Sequence, residues 1–279
     1  MSRKDQVVLI TGATRGIGRA TALHLARRGH RVVATGRNEE LLASLDGEAQ
    51  EASLPITVSP MDVTDAAAVQ GVVARTIEDS GRIDALVNNA GYGLWGALED
   101  QTLDEVRALF ETNVFAVLRL SQAVLPSMRR EGFGTIVNVG SVSGQIGSPA
   151  GGSYAASKAA LAAMSRVMRM EVAGFGVRVA LIEPGLFRTN FHENQIDAQR
   201  VADPDSPYAA AIRKARERRG GPWAGGAPDK VAVRIGQVIE SKRPRARYSV
   251  GIDARAGTMA ARLLPDGLLD AAVKRTVGW

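Results

Sequence analysis

Val7-Val8-Leu9-Ile10-Thr11-Gly12-Ala13-Thr14-Arg15-Gly16-Ile17-Gly18 is the stretch whose reading decides the fold. Four consecutive apolar residues, three of them β-branched, read as a short strand buried on both faces, as in a parallel sheet. A glycine-rich turn follows. Beyond it Ile17, Ala20, Thr21, Leu23, His24 and Leu25 recur at helical spacing up to Arg28, and Gly29 supplies the helix stop. The same strand–turn–helix unit repeats outward along the chain. Strands are predicted at 31–35, 56–59, 84–87, 135–139 and 177–182, and helices at 39–53, 65–80, 103–130 and 153–172. Regular alternation of this kind implies an α/β fold: a doubly wound parallel sheet with right-handed crossovers and helices on both faces.

After Gly185 the rhythm changes. Residues 186–228 carry Pro204, Pro207, Pro222 and Pro228 and the basic run Arg213-Lys214-Ala215-Arg216-Glu217-Arg218-Arg219. A helix over 229–241, a strand over 247–251 and an amphipathic helical tail close the chain. We therefore expect one domain over 1–279: a core at 1–185, a lid at 186–228, since long loops are commonly functional, and a final helix, strand and tail at 229–279. The basic run reads as a solvated helix face rather than a nucleic-acid site. The tail reads as packing on the domain.

Composition narrows the class. In 279 residues, 45% are hydrophobic and 23% charged, which excludes disordered and low-complexity chains. No cysteine is present, so a disulfide framework, a thiol nucleophile and a thiolate metal site are excluded. His24, His30 and His192 share no ligand spacing, and no metal site is expected. The net charge of +6 is a mild excess. No transmembrane segment and no export signal are read, so a cytoplasmic location is the expectation. Glycine is enriched, 30 residues in 279, and its placement matters.

The turn Thr11–Gly18 lies where a dinucleotide fold needs glycines. One allows the tight turn, one lets backbone approach a pyrophosphate, and one lets helix pack on strand. The helix N-terminus offers free N–H groups and positive potential to the anion. This makes the expected sheet a Rossmann-type one. The second strand ends Ala34-Thr35-Gly36-Arg37-Asn38, without the acid that would bond a ribose 2′-hydroxyl. Arg15 and Arg37 stand there instead, and guanidinium forks suit a 2′-phosphate. The expected cofactor is NADP(H).

Tyr154 and Lys158 lie four residues apart on one helical face. A phenol titrates near pH 10, too high for neutral acid–base work unless a neighbouring cation lowers it. Ser141 follows the strand at 135–139 and precedes Tyr154 by 13 residues, although Ser143 is as close to that strand. Asn113 falls inside the long helix at 103–130, Asn88-Asn89-Ala90-Gly91 ends the fourth strand, and Pro184-Gly185-Leu186-Phe187-Arg188-Thr189 follows the strand at 177–182.

Taken together these motifs resemble the short-chain dehydrogenase/reductase family in its classical form. The glycine turn matches that family's T-G-x-x-x-G-[IL]-G at every position. The resemblance covers residues 11 to 189 and implies an oxidoreductase interconverting a carbonyl and an alcohol. Its implied catalytic set is Ser141, Tyr154, Lys158 and Asn113. Tyr154 would be the acid–base, Ser141 would bond the reacting oxygen, Lys158 would lower the phenol's pKa, and Asn113, at a helix distortion, would hold a relay water through its main chain. Its implied cofactor contacts are Gly12, Thr14, Arg15, Gly16, Ile17, Gly18, Arg37, Asp62, Val63, Asn89, Ala90, Gly91, Tyr154, Lys158, Pro184, Gly185 and Thr189, with Asp62-Val63 at the adenine. Without the family, Asp62 reads as the start signal of the next helix.

Leu94, Trp95, Phe187 and Phe191 lie near these loops and suggest a lipophilic substrate. Arg247-Tyr248 and the extended tail resemble the hydroxysteroid and retinol dehydrogenase branch. The family implies a homodimer or homotetramer, acting on a small molecule and not on nucleic acid. The alternatives are a non-catalytic dinucleotide sensor or scaffold on the same fold, and a ketoacyl reductase. A sugar-nucleotide epimerase is disfavoured by the glycine spacing.

Overall fold

The computed structural model describes residues 5–189, 191, 194–219 and 225–279. The first strand, β1 (Val7–Ile10), is buried along its whole length. It passes through the glycine turn into α1 (Gly16–Arg27), then β2 (Arg31–Gly36), α2 (Glu39–Glu51), β3 (Ile56–Pro60), α3 (Ala66–Ser80) and β4 (Ala85–Asn88). Local chemistry sets these boundaries. Asn38 caps α2 through Leu41 N. Asp65 caps α3 by accepting from Ala67 N and Ala68 N, and Gly81 ends it in the left-handed region at φ 78°. Asp62 is not that cap, because its carboxylate already accepts from the amide and hydroxyl of Thr64.

The chain continues through a two-residue strand β5 (Leu94–Trp95), α4 (Leu103–Phe110), α5 (Ala116–Arg130), β6 (Gly134–Val139), α6 (Gly152–Val172) and β7 (Val177–Pro184). The long helix expected over 103–130 is thus two helices, joined by a π-helical turn at Glu111–Phe115. Its 28 residues are long and apolar enough to cross a membrane, yet 44% of its most apolar window is buried inside the fold. After β7 come a second two-residue strand β8 (Ile196–Asp197), α7 (Ala209–Arg219), α8 (Asp229–Glu240), β9 (Arg247–Val250), α9 (Ile252–Leu263) and α10 (Asp266–Val277).

Seven strands form one parallel sheet in the order β3-β2-β1-β4-β6-β7-β9. This is the Rossmann-like topology read from the alternation. Side chains alternate between the two faces. Val8 and Ile10 pack with Leu25 of α1 and with Val231 and Ile235 of α8. Leu9 packs on the other face with Val72 of α3, Leu120 and Val124 of α5 and Met168 of α6. The strand order reverses between β1 and β4, where a doubly wound sheet opens its ligand crevice.

Two histidines serve packing. His24 meets Gly236 where α1 crosses α8, and burial there lowers its pKa. His30 is fully buried, accepts from Gln6 N at 3.3 Å and reaches Glu240 at 3.2 Å. His192 lies outside the described residues. Among the described residues no group of three or more potential ligands could hold a metal.

Candidate active site

A cleft of about 1050 Å³ opens at the carboxyl ends of the strands. Gly12, Thr14, Arg15, Gly16, Ile17, Arg37, Asp62, Val63, Asn89, Ala90, Gly91, Ser141, Tyr154, Lys158, Pro184, Gly185 and Thr189 all line it. Of the residues expected at a site, Gly18 and Asn113 stand just behind this surface.

The glycine turn is held from both sides. Thr11 N bonds Val87 O at 3.0 Å and Ala13 N bonds Thr35 O at 2.8 Å. Gly12 and Gly16 take φ of 63° and 53°, the region glycine occupies without steric cost. A Cβ on Gly18 would stand 2.2 Å from Gly12 O, so α1 packs on the turn only because that position has no side chain. Arg15 precedes α1 and its side chain does not cap the helix. The first N–H groups of α1 are thus available to an anion, and the turn fits a pyrophosphate.

Asn89 does more than wall the cleft. Its Nδ2 donates to Thr11 O and Gly12 O, both at 3.0 Å, while Thr11 Oγ1 accepts from Asn89 N and Ala90 N. These bonds tie the end of β4 to the glycine turn across the switch point. Nothing in the spacing of the sequence announced this brace. The only signal was the pair of asparagines closing an apolar strand.

At the other end of the turn, Gly36 presses on Thr14, and a Cβ there would meet Thr14 Cγ2 at 2.5 Å. Arg37 follows, 74% exposed, with Nη1 3.6 Å from Asp62 Oδ2. Burial raises the Asp62 pKa, but the Thr64 amide and hydroxyl and the Arg37 charge together carry it below its ordinary value.

Lys158 is 6% exposed and donates from Nζ to Val139 O at 3.0 Å. It stands 5.8 Å from the centroid of the Tyr154 ring, whose other neighbour is Phe191 at 5.3 Å between centroids. Of the two candidate serines, Ser141 is the one whose hydroxyl influences the phenol, drawing its pKa down. Its hydroxyl also accepts from Ser143 N at 3.1 Å, which starts a single turn over Val142–Gly144. Burial pushes the phenol up to about 12, and the Ser141 hydroxyl only partly offsets it. Burial pushes Lys158 down to about 8. The ammonium is turned to a main-chain carbonyl, and loss of hydration is the largest influence on both groups.

Asn113 is fully buried in the π-helical turn. Its Nδ2 donates to Tyr92 O at 3.0 Å and Ser157 Oγ at 3.1 Å, and its Oδ1 accepts from Tyr92 N at 3.1 Å. Its side chain thus joins the loop after β4 to the Tyr154 helix, while Ser157 donates in turn to Tyr154 O. A helical asparagine is legible in sequence; its partners Tyr92 and Ser157 are not.

Pro184-Gly185 turns under α9. Leu186 N donates to Asp253 Oδ2, and a Cβ on Gly185 would stand 2.1 Å from that oxygen. Asp253 was invisible to sequence reading, because its effect lies 67 residues away. Thr189 returns to the glycine turn, its Cβ 3.2 Å from where a Cβ on Gly16 would sit.

Leu94, Trp95, Phe187 and Phe191 line the other end of the cleft. Leu94 and Trp95 are held there by β5, which pairs with β8. The basic run 213–219 forms most of α7, and it is not wholly a solvated face. Arg216 bonds Asp197 and lies 5.1 Å from the Trp95 ring centroid.

Comparisons with known proteins agree with this layout. A family model described as short chain dehydrogenase matches residues 6–200. A 3-ketodihydrosphingosine reductase of Bacteroides thetaiotaomicron is 34% identical over 253 residues, covering 89% of this chain and 88% of the relative. A 3-oxoacyl-[acyl-carrier-protein] reductase of Thermotoga maritima is 39% identical over 195 residues, covering 69% and 78%. A solved short-chain dehydrogenase from Streptomyces avermitilis superposes with a TM-score of 0.82 at 34% identity, covering 100% of this chain and 97% of that one.

Proposed function

Because the chain belongs to the short-chain dehydrogenase/reductase family, we propose that this oxidoreductase is NADP(H)-dependent and interconverts a lipophilic carbonyl with its alcohol. The observation that carries the reading is that the Tyr154 phenol shares one cleft with Ser141, Lys158 and the glycine turn, Lys158 Nζ lying 5.8 Å from the phenol ring centroid.

The cofactor's chemistry is hydride transfer between its nicotinamide and the substrate carbon. The chain's own residues hold the reactants and move the proton. Gly12, Thr14, Gly16, Ile17 and Gly18 shape the pyrophosphate seat at the start of α1. Arg15 and Arg37 take the 2′-phosphate, supported by the absence of an acid at the end of β2. Asp62 and Val63 border the adenine, Asn89, Ala90 and Gly91 wall the middle, and Pro184, Gly185 and Thr189 meet the carboxamide. Ser141 donates a hydrogen bond to the carbonyl oxygen and polarises it. Tyr154 gives that oxygen its proton in reduction and takes one from the alcohol in oxidation. Lys158 bonds the nicotinamide ribose and places a positive charge behind the phenol. Asn113 fixes the loop facing the phenol, with a water on its main chain completing the relay.

The lipophilic substrate is supported by charge. Arg15, Arg37, Asp62 and Glu111 lie toward the glycine-turn end of the cleft, Glu111 through Arg119, which bonds Val63 O. Among the described residues that line the opposite end, Leu94, Trp95, Phe187 and Phe191 are apolar, and the charge of Arg216 over Trp95 is paired with Asp197. The name of the Bacteroides relative puts a sphingoid ketone among the substrates to try. The Thermotoga relative favours a second reading, a ketoacyl reductase. Self-association uses the exposed Phe115 and Met170.

Initial rates with NADPH and NADH across carbonyls graded from small polar ketones to steroid ketones and a 3-ketosphingoid base test this. Turnover of bulky apolar carbonyls with NADPH is expected. Turnover confined to small polar ketones, or to NADH, would overturn the corresponding half of the proposal.

A further inference from the structure

The last helix is unusual. No side chain of α10 is buried, although a helix of its length in a folded domain ordinarily seals a face on the core. Yet its final turn is placed at the cleft. Thr276 and Val277 line the substrate end, as does Ala215 of α7. Just beyond, Trp279 stacks on Tyr208 at 6.2 Å between centroids and 26° between planes. Tyr208 is itself fixed, since its hydroxyl donates to Glu99 at 2.7 Å. The preceding Ser206 donates to the buried Asp100 at 2.6 Å. The far end of the cleft is thus bordered by a helix that contributes little to the core.

We propose that the last turn of α10 is a specificity wall, in which Val277 together with Ala215 limits the size of the apolar group carried by the reacting carbonyl. The proposal rests on the oxidoreductase reading above and goes further by assigning substrate size to a segment outside the 11–189 motifs. A ring system or hydrocarbon chain extending from Tyr154 past Trp95 meets this wall. A carbonyl bearing only a small group does not reach it. The side chains of the wall that line the cleft, Ala215, Thr276 and Val277, carry no charge.

The test compares Val277→Trp and Val277→Ala with the unaltered protein, using cyclohexanone and progesterone as substrates. Binding of progesterone is also measured by titration calorimetry, which needs no turnover. Val277→Trp is expected to raise the KM and the calorimetric Kd for progesterone about tenfold, and to leave kcat/KM for cyclohexanone within about twofold. Val277→Ala should leave cyclohexanone and thermal stability unchanged, which shows that the position is not structural. Equal losses on both substrates, or no change on either, would overturn the wall. If no carbonyl is turned over but Val277→Trp still weakens progesterone binding, the functional reading falls and the wall stands. An unaltered protein that neither turns over nor binds progesterone would overturn the wall itself.

Discussion

The two ends of the cleft are built by different means. At the glycine-turn end, backbone does the work. Gly12, Gly18 and Gly36 bring main chain to within a missing Cβ of its neighbours, and Thr11 and Asn89 bond the turn from behind. At the substrate end the surface is side chain, and it is assembled from pieces that are short and remote. Two residues of β5 pair with two of β8, Arg216 lies over Trp95, and Trp279 stacks on Tyr208. A surface of fixed backbone suits a ligand that never changes, whereas a surface of side chains can be altered residue by residue without disturbing the sheet.

The first way to break this contrast is at its centre. Tyr154→Phe should lower kcat by about a thousandfold, within the range for loss of a general acid–base. Dinucleotide affinity should stay within about twofold of the unaltered protein, because the phenol's oxygen serves the substrate. If the variant keeps its turnover, or if the unaltered protein serves only as a dinucleotide sensor, the catalytic assignment is wrong. Gly18→Ala attacks the backbone end. With 2.2 Å to Gly12 O the turn must shift, and overpacking of this kind costs about 1–3 kcal/mol. A lower melting temperature together with weakened binding of both dinucleotides is expected. A loss with one dinucleotide only would mean that the turn does not hold the shared pyrophosphate.

Arg37→Ala sharpens the assignment further. It should raise the KM for NADPH about tenfold and leave NADH nearly unaffected, the worth of one charge-assisted hydrogen bond. An equal effect on both would make Arg37 merely the partner of Asp62.

The buried Lys158 gives a pH signature. Its pKa near 8 means that the ammonium is kept below that value and lost above it. Reduction should weaken as pH rises through about 8, and Lys158→Met should flatten the profile. Stability moves in the opposite sense. Between about 8 and the ordinary lysine value the unfolded chain holds a proton that the folded chain has released, so unfolding free energy rises with pH there. Chemical denaturation at several pH values checks this.

The smallest effect lies farthest from the cleft, at Glu240. Burial raises its pKa, but Arg28 and His30 together carry it lower than usual, and Arg28 grips both carboxylate oxygens. The stability this contributes is present above the ordinary carboxylate pKa and lost as pH falls through the lowered one. Glu240→Gln should cost about 1 kcal/mol at neutral pH with unchanged kinetics.

Much of the sheet was legible because β1, β4 and β6 are buried along their length and mostly apolar, and because Asn38, Asp65 and Gly81 punctuate the helices. The residues of the site were legible as types and spacings. Their couplings were not. Asn113 with Tyr92 and Ser157, or Asp253 with Leu186, are pairs whose members belong to different elements and leave no periodic trace. The substrate end was legible only as apolar residues near loops, since β5 and β8 are too short to show alternation. The surroundings of Tyr154 were not legible either, because a cation nearby in sequence says nothing of where its ammonium turns or of how dry the phenol is.

The π-helical turn at Glu111–Phe115 has a consequence for length. It spends about one residue more than an α-helical path over the same rise, which sets α4 and α5 out of phase by about 100°. Leu120, Val124 and Met128 face the sheet only because of that offset. Deleting Thr112 would heal the hydrogen-bond ladder and make a straighter helix. It would also roll the apolar stripe of α5 off the sheet and carry Asn113 away from Tyr92. Residue count at this point is therefore as constrained as residue identity, and a substitution there is expected to be tolerated better than a deletion.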